Sequence, residues 1–168
     1  MLRENFVNGM SRVPNSVSIV TTDGVAGRFG VTVSATSSVS AEPPTLLVCV
    51  HHLSNASKAI IENGVFCVNL LHNEASIVSD TFAGRVPAPD GDKFSCATWH
   101  KLDSGAPAID DPLVVFDCQL MQHMRINTHY IFIGSVLTVE FGKTTRPLLH
   151  ANRSYGTSWL FPSTERNH

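Results

Sequence analysis

Four stretches of this chain combine residue types and spacing that could do chemistry. Thr32, Val33, Ser34, Ala35, Thr36, Ser37 and Ser38 are nearly all small. Small side chains let a flat ligand lie against the backbone, where amides and hydroxyls can bond ring heteroatoms. An ordinary Ser/Thr-rich strand at a sheet edge reads the same way. Ser54-Asn55-Ala56-Ser57-Lys58 offers hydroxyls and unpaired amides at a helix start, which attract an anion such as phosphate; it also suits a plain N-cap. In Phe82-Ala83-Gly84-Arg85 the glycine permits close backbone approach, and the guanidinium can grip phosphate bidentately. A helix end with a solvated arginine is the alternative. His129, after Thr128, falls in a turn between two long strands, where it could bond a carboxamide or pyrophosphate, or simply face water.

Other chemistries find no footing. Gly24, Gly27 and Gly30 are wrongly spaced for a dinucleotide fingerprint. No GxxxxGK[ST] loop, HExxH pair or GxSxG elbow occurs. His51 and His52 are adjacent, so on a strand they point to opposite faces, and with His72 they make no metal set. The chain of 168 residues carries 12 Lys plus Arg against 14 Asp plus Glu, and only 15% of its residues are charged. That balance gives no footprint for nucleic acid or an anionic membrane. The longest apolar runs are far short of a membrane span, and the first residues lack the apolar stretch of a signal peptide. Cys49, Cys67, Cys96 and Cys118 show no paired spacing, and three of them lie in apolar runs. Unbridged thiols in a cytoplasmic protein are therefore expected. The sequons at Asn55 and Asn152 carry no weight in that compartment.

The elements that must position these groups are mostly strands. Leu2, Phe6 and Met10 suit one face of a short helix ending near Pro14. Val17–Thr22 alternates and runs into Asp23-Gly24, a hairpin signal, with Gly30–Val39 as one continuous return strand. Pro43-Pro44 interrupts before a strand over Thr45–Val50. A helix capped by Ser54–Ser57 stops at Asn63-Gly64, a strand follows over Val65–Leu71, and a second short helix covers Asn73–Ser79. Arg85–Lys93 reads as loop. Leu113–Arg125 and Tyr130–Phe141 are the long strands, and Leu148–Tyr155 is a last short one. The expected fold is mainly β: an antiparallel barrel with short helices in its connections. We expect a single domain over residues 1–168, with its core at about 6–155 and a frayed tail at 162–168.

Ser18–Gly24, Gly30–Ala35, Ser38-Val39-Ser40, Pro43–Cys49, Phe66–Leu71, Phe82-Ala83-Gly84, Lys93-Phe94, Trp99, Cys118 and Thr128-His129 occur in this order, and together they resemble the flavin reductase family. The resemblance runs from about Phe6 to Tyr155. It implies an antiparallel Greek-key split β-barrel that binds FMN or FAD, works as a homodimer and takes hydride from NADH or NADPH. On matching positions, Thr32, Val33, Ser34, Ala35, Thr36 and Ser37 would line the isoalloxazine ring. Ser54, Asn55 and Ser57 would bind the flavin phosphate, and Phe82, Ala83, Gly84 and Arg85 would close over ring and phosphate. His129 and Tyr155 would meet the nicotinamide nucleotide. This chain departs at Ile126-Asn127-Thr128-His129, where many relatives carry Gly-Asp before the His. No catalytic acid–base residue and no metal is implied, because hydride passes directly between the cofactors. Supply of reduced flavin to a partner monooxygenase is the leading implication. The alternatives are a tightly bound FMN serving a corrin cobalt or ferric iron, and a non-enzymatic flavin-binding protein.

Overall fold

The computed structural model describes residues 1–161, so the tail expected at 162–168 lies outside the described residues. Strand β1 is Asn15–Ser16, β2 Ser18–Thr22, β3 Phe29–Val33, β4 Thr36–Ala41, β5 Pro44–His51 and β6 Val65–Leu70. Farther along come β7 (Trp99–Lys101), β8 (Pro107–Ile109), β9 (Val114–Ile126), β10 (His129–Phe141), β11 (Leu149–Ala151) and β12 (Ser154–Gly156). Helix α1 (Leu2–Ser11) precedes the first strand, and α2 (Asn55–Asn63) and α3 (Ser76–Phe82) fill connections. The main sheet is antiparallel with seven strands in the order β3-β2-β6-β9-β10-β5-β4.

The expected strand Gly30–Val39 is divided, and the division closes the fold. Its halves, β3 and β4, lie at opposite ends of the sheet order, yet only Ser34 and Ala35 join them. The three Cα–Cα steps from Val33 to Thr36 reach roughly 11 Å at most, so the two ends of the sheet must meet. One bent strand thus pairs with β2 before the bend and with β5 after it, making a split barrel. Ala35 O accepts from Cys49 N at 3.0 Å and pins the bend to β5.

The barrel interior holds Val20, Val48, Phe66, Val68 and Phe132, all fully buried. Helix α2 packs on β2, β3, β5, β6 and β9, and so covers one end. Gly64, left-handed at φ 70°, stops this helix where Asn63-Gly64 predicts. The outer faces of β2, β6 and β9 are covered too, by α3, β7–β8 and Leu148, which gives a second core around Ile19, Cys67, Val115 and Phe82. That is why every residue of β2 is buried. Helix α1 has the predicted apolar spacing, but Leu2, Phe6 and Met10 stay exposed.

Three further expectations change. Helix α3 starts at Ser76 instead of Asn73, because Asn73 N donates to Arg146 O and is committed to the sheet-like pairing beside Pro147. Leu148–Tyr155 is a tight hairpin, β11–β12, reversed at Asn152 and Arg153, both at positive φ. The hairpin β7–β8 has no counterpart in the sequence reading. Buried polar groups of the barrel wall hold it: Asn69 Oδ1 accepts from Ile109 N at 2.8 Å, and Asp117 accepts from Ser104 N at 2.7 Å and from the Ser104 hydroxyl. All four cysteines are unbridged; Cys67 and Cys118 are buried, whereas Cys49 and Cys96 are half-buried. Burial pushes the Cys118 thiol up to about 12 and the Cys67 thiol higher still, with Asp117 adding to both effects.

His100 ties β7 to β10, with Nδ1 2.6 Å from Asp110 and Nε2 3.0 Å from Glu140. Partial burial disfavours the imidazolium, but the bonds to Asp110 and Glu140 outweigh it and raise the His100 pKa. A pKa higher in the folded than in the unfolded chain gives stabilisation that is complete below the unfolded value and is lost as pH rises through the folded one. The urea midpoint should therefore fall between mildly acidic and mildly alkaline pH, and His100→Asn should flatten that fall. An equal fall in both proteins would assign the dependence elsewhere.

Candidate functional site

The loop-rich side of the barrel, where β3 meets α3 and the start of α2, carries two adjacent cavities. The first, about 200 Å³, lies beside the bend and is lined by Thr32, Val33, Ser34, Ala83, Arg85 and Tyr155, with Ser79 and His150 behind them. Ser34 and Ala35 are exposed, and their amides lie outside both ladders and donate to no carbonyl among the described residues. Thr32 is already engaged: its hydroxyl donates to Ser79 O at 2.7 Å and ties β3 to α3. Thr36 Oγ1 is buried without a partner among the described residues. A backbone with spare donors beside a wall of small side chains fits the edge of a flat heteroaromatic ring.

The second cavity, about 350 Å³, runs from the start of α2 to the 3₁₀ turn Lys93–Cys96. Ser54 and Asn55 form one wall and Phe82 another, while Arg28 and Lys93 bring cations that the sequence reading did not single out as site residues. The Ser54 side chain makes no capping bond, so its hydroxyl and the first amides of α2 remain available. Ser57 differs, because its hydroxyl is fully buried and donates to Ser54 O at 2.8 Å. It shapes the helix start and does not line the cavity. Arg28 pairs with Asp92 at 3.0 Å and stacks 4.4 Å from the Phe94 ring centroid, and Lys93 Nζ donates to Phe82 O at 3.0 Å. Asp92, which holds Arg28, lies in the Arg85–Lys93 stretch read as loop, where no periodicity marks a site residue.

Phe82 lines the second cavity, and the next residue, Ala83, lines the first. The Phe82 ring meets Phe94 and Trp99 edge-on, at centroid distances of 5.1 and 5.6 Å. Gly30 makes room for it: a Cβ there would come within 2.5 Å of Phe82 Cε1. Ala83, Gly84 and Arg85 follow as an exposed turn, with Gly84 left-handed at φ 73°.

Arg85 is not a bare cation. Its Nη1 lies 3.2 Å from Asp80 Oδ1 and 3.1 Å from the Tyr155 hydroxyl, which donates to the same carboxylate at 2.6 Å. Burial, and then the Asp80 acceptor, raise the Tyr155 pKa.

The remaining expected positions stand apart within one chain. Thr36 and Ser37 line a separate apolar groove of about 180 Å³ with Leu46, Phe116, Val136 and Val139. His129 opens β10 opposite His51, whose ring it meets edge-on at 5.0 Å, and it lines neither of the two cavities. Tyr155 packs instead beside His150, at 5.7 Å.

This architecture places the chain among the small barrels that present a flat-ligand cleft. Residues 10–158 match the flavin reductase like domain, and the chain belongs to that family. It is 41% identical over 152 residues to FMN reductase (NADH) RutF 1 of Methylorubrum extorquens, covering 90% of this chain and 75% of that protein. Among solved structures, nitrilotriacetate monooxygenase component B from Mycobacterium thermoresistibile superposes with a TM-score of 0.86 at 29% identity, over 98% of this chain and 93% of that one. Flavin reductase PheA2 gives a TM-score of 0.85 at 27% identity, over 95% and 100%.

Gly30→Ala should force Phe82 out of its ring cluster. The expected cost is about 1–3 kcal/mol of stability, as for other overpacked cores, read by urea denaturation together with a shift in Trp99 emission. An unchanged midpoint would show that the Phe82 ring yields freely.

Proposed function

We propose that this protein is an NADH:flavin oxidoreductase that supplies reduced flavin to a partner monooxygenase. The observation that carries the reading is the pair of adjoining cavities: spare amides at the Ser34–Ala35 bend for a ring edge, and cations with free helix amides one step away for a phosphate. The family membership and the names of the relatives support it. A bound flavin supplies the hydride acceptor, and the nicotinamide supplies the donor. The chain's own task is to bind, orient and shield.

In this reading Ser34 and Ala35 hold the ring edge through their amides, and Ala83 and Gly84 leave the room a ring needs. Ser54, the amides of Asn55 and Ala56, and Lys93 hold the phosphate. The whole chain acts as one domain in the cytoplasm. It works as a homodimer, a reading supported by the apolar groove at Thr36 and Leu46 and by the exposed Val39, Leu137, Val139 and Phe141. His129 and Tyr155 are separated within one chain, and a second subunit offers a way for both to reach one nicotinamide nucleotide.

Anaerobic mixing with FMN and NADH should bleach the oxidised-flavin absorbance within the mixing time. No bleaching with either NADH or NADPH overturns the reading. Lys93→Ala should weaken FMN binding roughly fivefold, about 1 kcal/mol for an exposed cation, and leave riboflavin affinity unchanged. Equal loss for both flavins would remove Lys93 from the phosphate.

A further inference from the structure

Asp80 was not among the sequence candidates, yet its carboxylate organises two residues that were. Tyr155 arrives from β12 and Arg85 from the turn after α3, 70 positions apart in the chain. A single oxygen, Asp80 Oδ1, takes the Tyr155 hydroxyl at 2.6 Å and the Arg85 guanidinium at 3.2 Å. The Asp80 carbonyl accepts from Arg85 N at 2.8 Å, so backbone and side chain fix the same arginine. The Tyr155 hydroxyl also sits 2.8 Å from Ser79 Oγ, and its ring packs against His150.

The electrostatic consequence is specific. A guanidinium paired at this distance presents N–H donors but little net charge. Beside Ser34, Ser79 and the Tyr155 hydroxyl it makes the smaller cavity polar and close to neutral. The larger cavity keeps Lys93, whose Nζ bonds a carbonyl and no carboxylate among the described residues. Phosphate therefore has a better place one cavity away.

Resting on the proposed function, we propose that Asp80 is a positioning and specificity-determining residue: by neutralising Arg85 and fixing Tyr155, it tunes this cavity to an uncharged amide-like edge and against phosphate. Two ligands carry such an edge, the ring imide of a flavin and the carboxamide of nicotinamide. Both alternate donors and acceptors, and both are matched by a hydroxyl beside a fixed guanidinium.

The test has two readouts. The chain has two tyrosines, so Tyr130→Phe leaves Tyr155 as the sole phenol for an ultraviolet pH titration. Adding Asp80→Asn should lower its midpoint, because the carboxylate that favours the protonated phenol is gone and Arg85 is left unpaired. In steady-state kinetics Asp80→Asn should raise one KM about tenfold, the cost of losing charge-assisted contacts, with kcat nearly unchanged. A raised flavin KM assigns the cavity to the ring imide, and a raised NADH KM assigns it to the carboxamide. Inorganic phosphate should become a competitive inhibitor of the variant, and Asp80→Glu should recover part of the loss. Tyr155→Phe should raise the same KM, which guards against a variant that merely folds poorly. Unchanged KM values, or a titration indifferent to Asp80→Asn, overturn the assignment, as does a lowered unfolding temperature with kinetics intact. A wild-type chain that reduces no flavin overturns the proposed function instead, and the titration then decides alone whether Asp80 governs Tyr155.

Discussion

Closure of the barrel hangs on two residues. Because Ser34 and Ala35 alone connect strands at opposite ends of the main sheet, the sheet has to curl until its ends meet. The same bend takes two backbone amides out of both ladders at an exposed surface. Unpaired backbone donors are costly to bury and useful to expose. Closure of the fold and exposure of two spare backbone donors are thus one event, and larger side chains at Ser34 or Ala35 would crowd those donors.

Around this bend the second core acts as a frame. Asn69 and Asp117, both fully buried, accept hydrogen bonds from the β7–β8 hairpin. Each is an expensive group to leave unsatisfied, so the hairpin is held firmly by the barrel wall. The hairpin in turn delivers Trp99 to Phe82 and Phe94. Thr32, bonded to Ser79, fixes α3 from the other side. Phe82 is therefore positioned from three directions, and it forms a wall of the larger cavity.

How much of this the sequence reveals depends on the range of the interaction. Local signals survive well: Asn63-Gly64 stops a helix, Asp23-Gly24 turns a chain, and Val65–Leu70 forms a strand, as period and turn chemistry dictate. The Gly30–Val39 run is continuous in propensity, and only its change of partner, from β2 to β5, breaks it. Propensity carries no record of partners. The β7–β8 hairpin is invisible for a similar reason. Its strands are three residues each, and what secures them are side chains of Asn69 and Asp117 tens of positions away. At the site, Ser57 matches a phosphate-binding pattern, but the same hydroxyl that could bind an anion satisfies a helix carbonyl instead.

Arg85 shows the limit most clearly. A glycine followed by arginine after a helix suits a phosphate grip, and Asp80 five positions earlier is an unremarkable helix carboxylate in the linear sequence. Folding adds Tyr155, and the three become one hydrogen-bonded unit in which the arginine's charge is already answered. With 15% of its residues charged, the chain has few cations to place, and where they are paired decides which cavity attracts an anion. Arg85 is answered by Asp80 and Arg28 by Asp92, whereas Lys93 rests on a backbone carbonyl and keeps its field. The two cavities differ in size and in this pairing, and the proposed ligand orientation rests on which cations the fold leaves uncompensated.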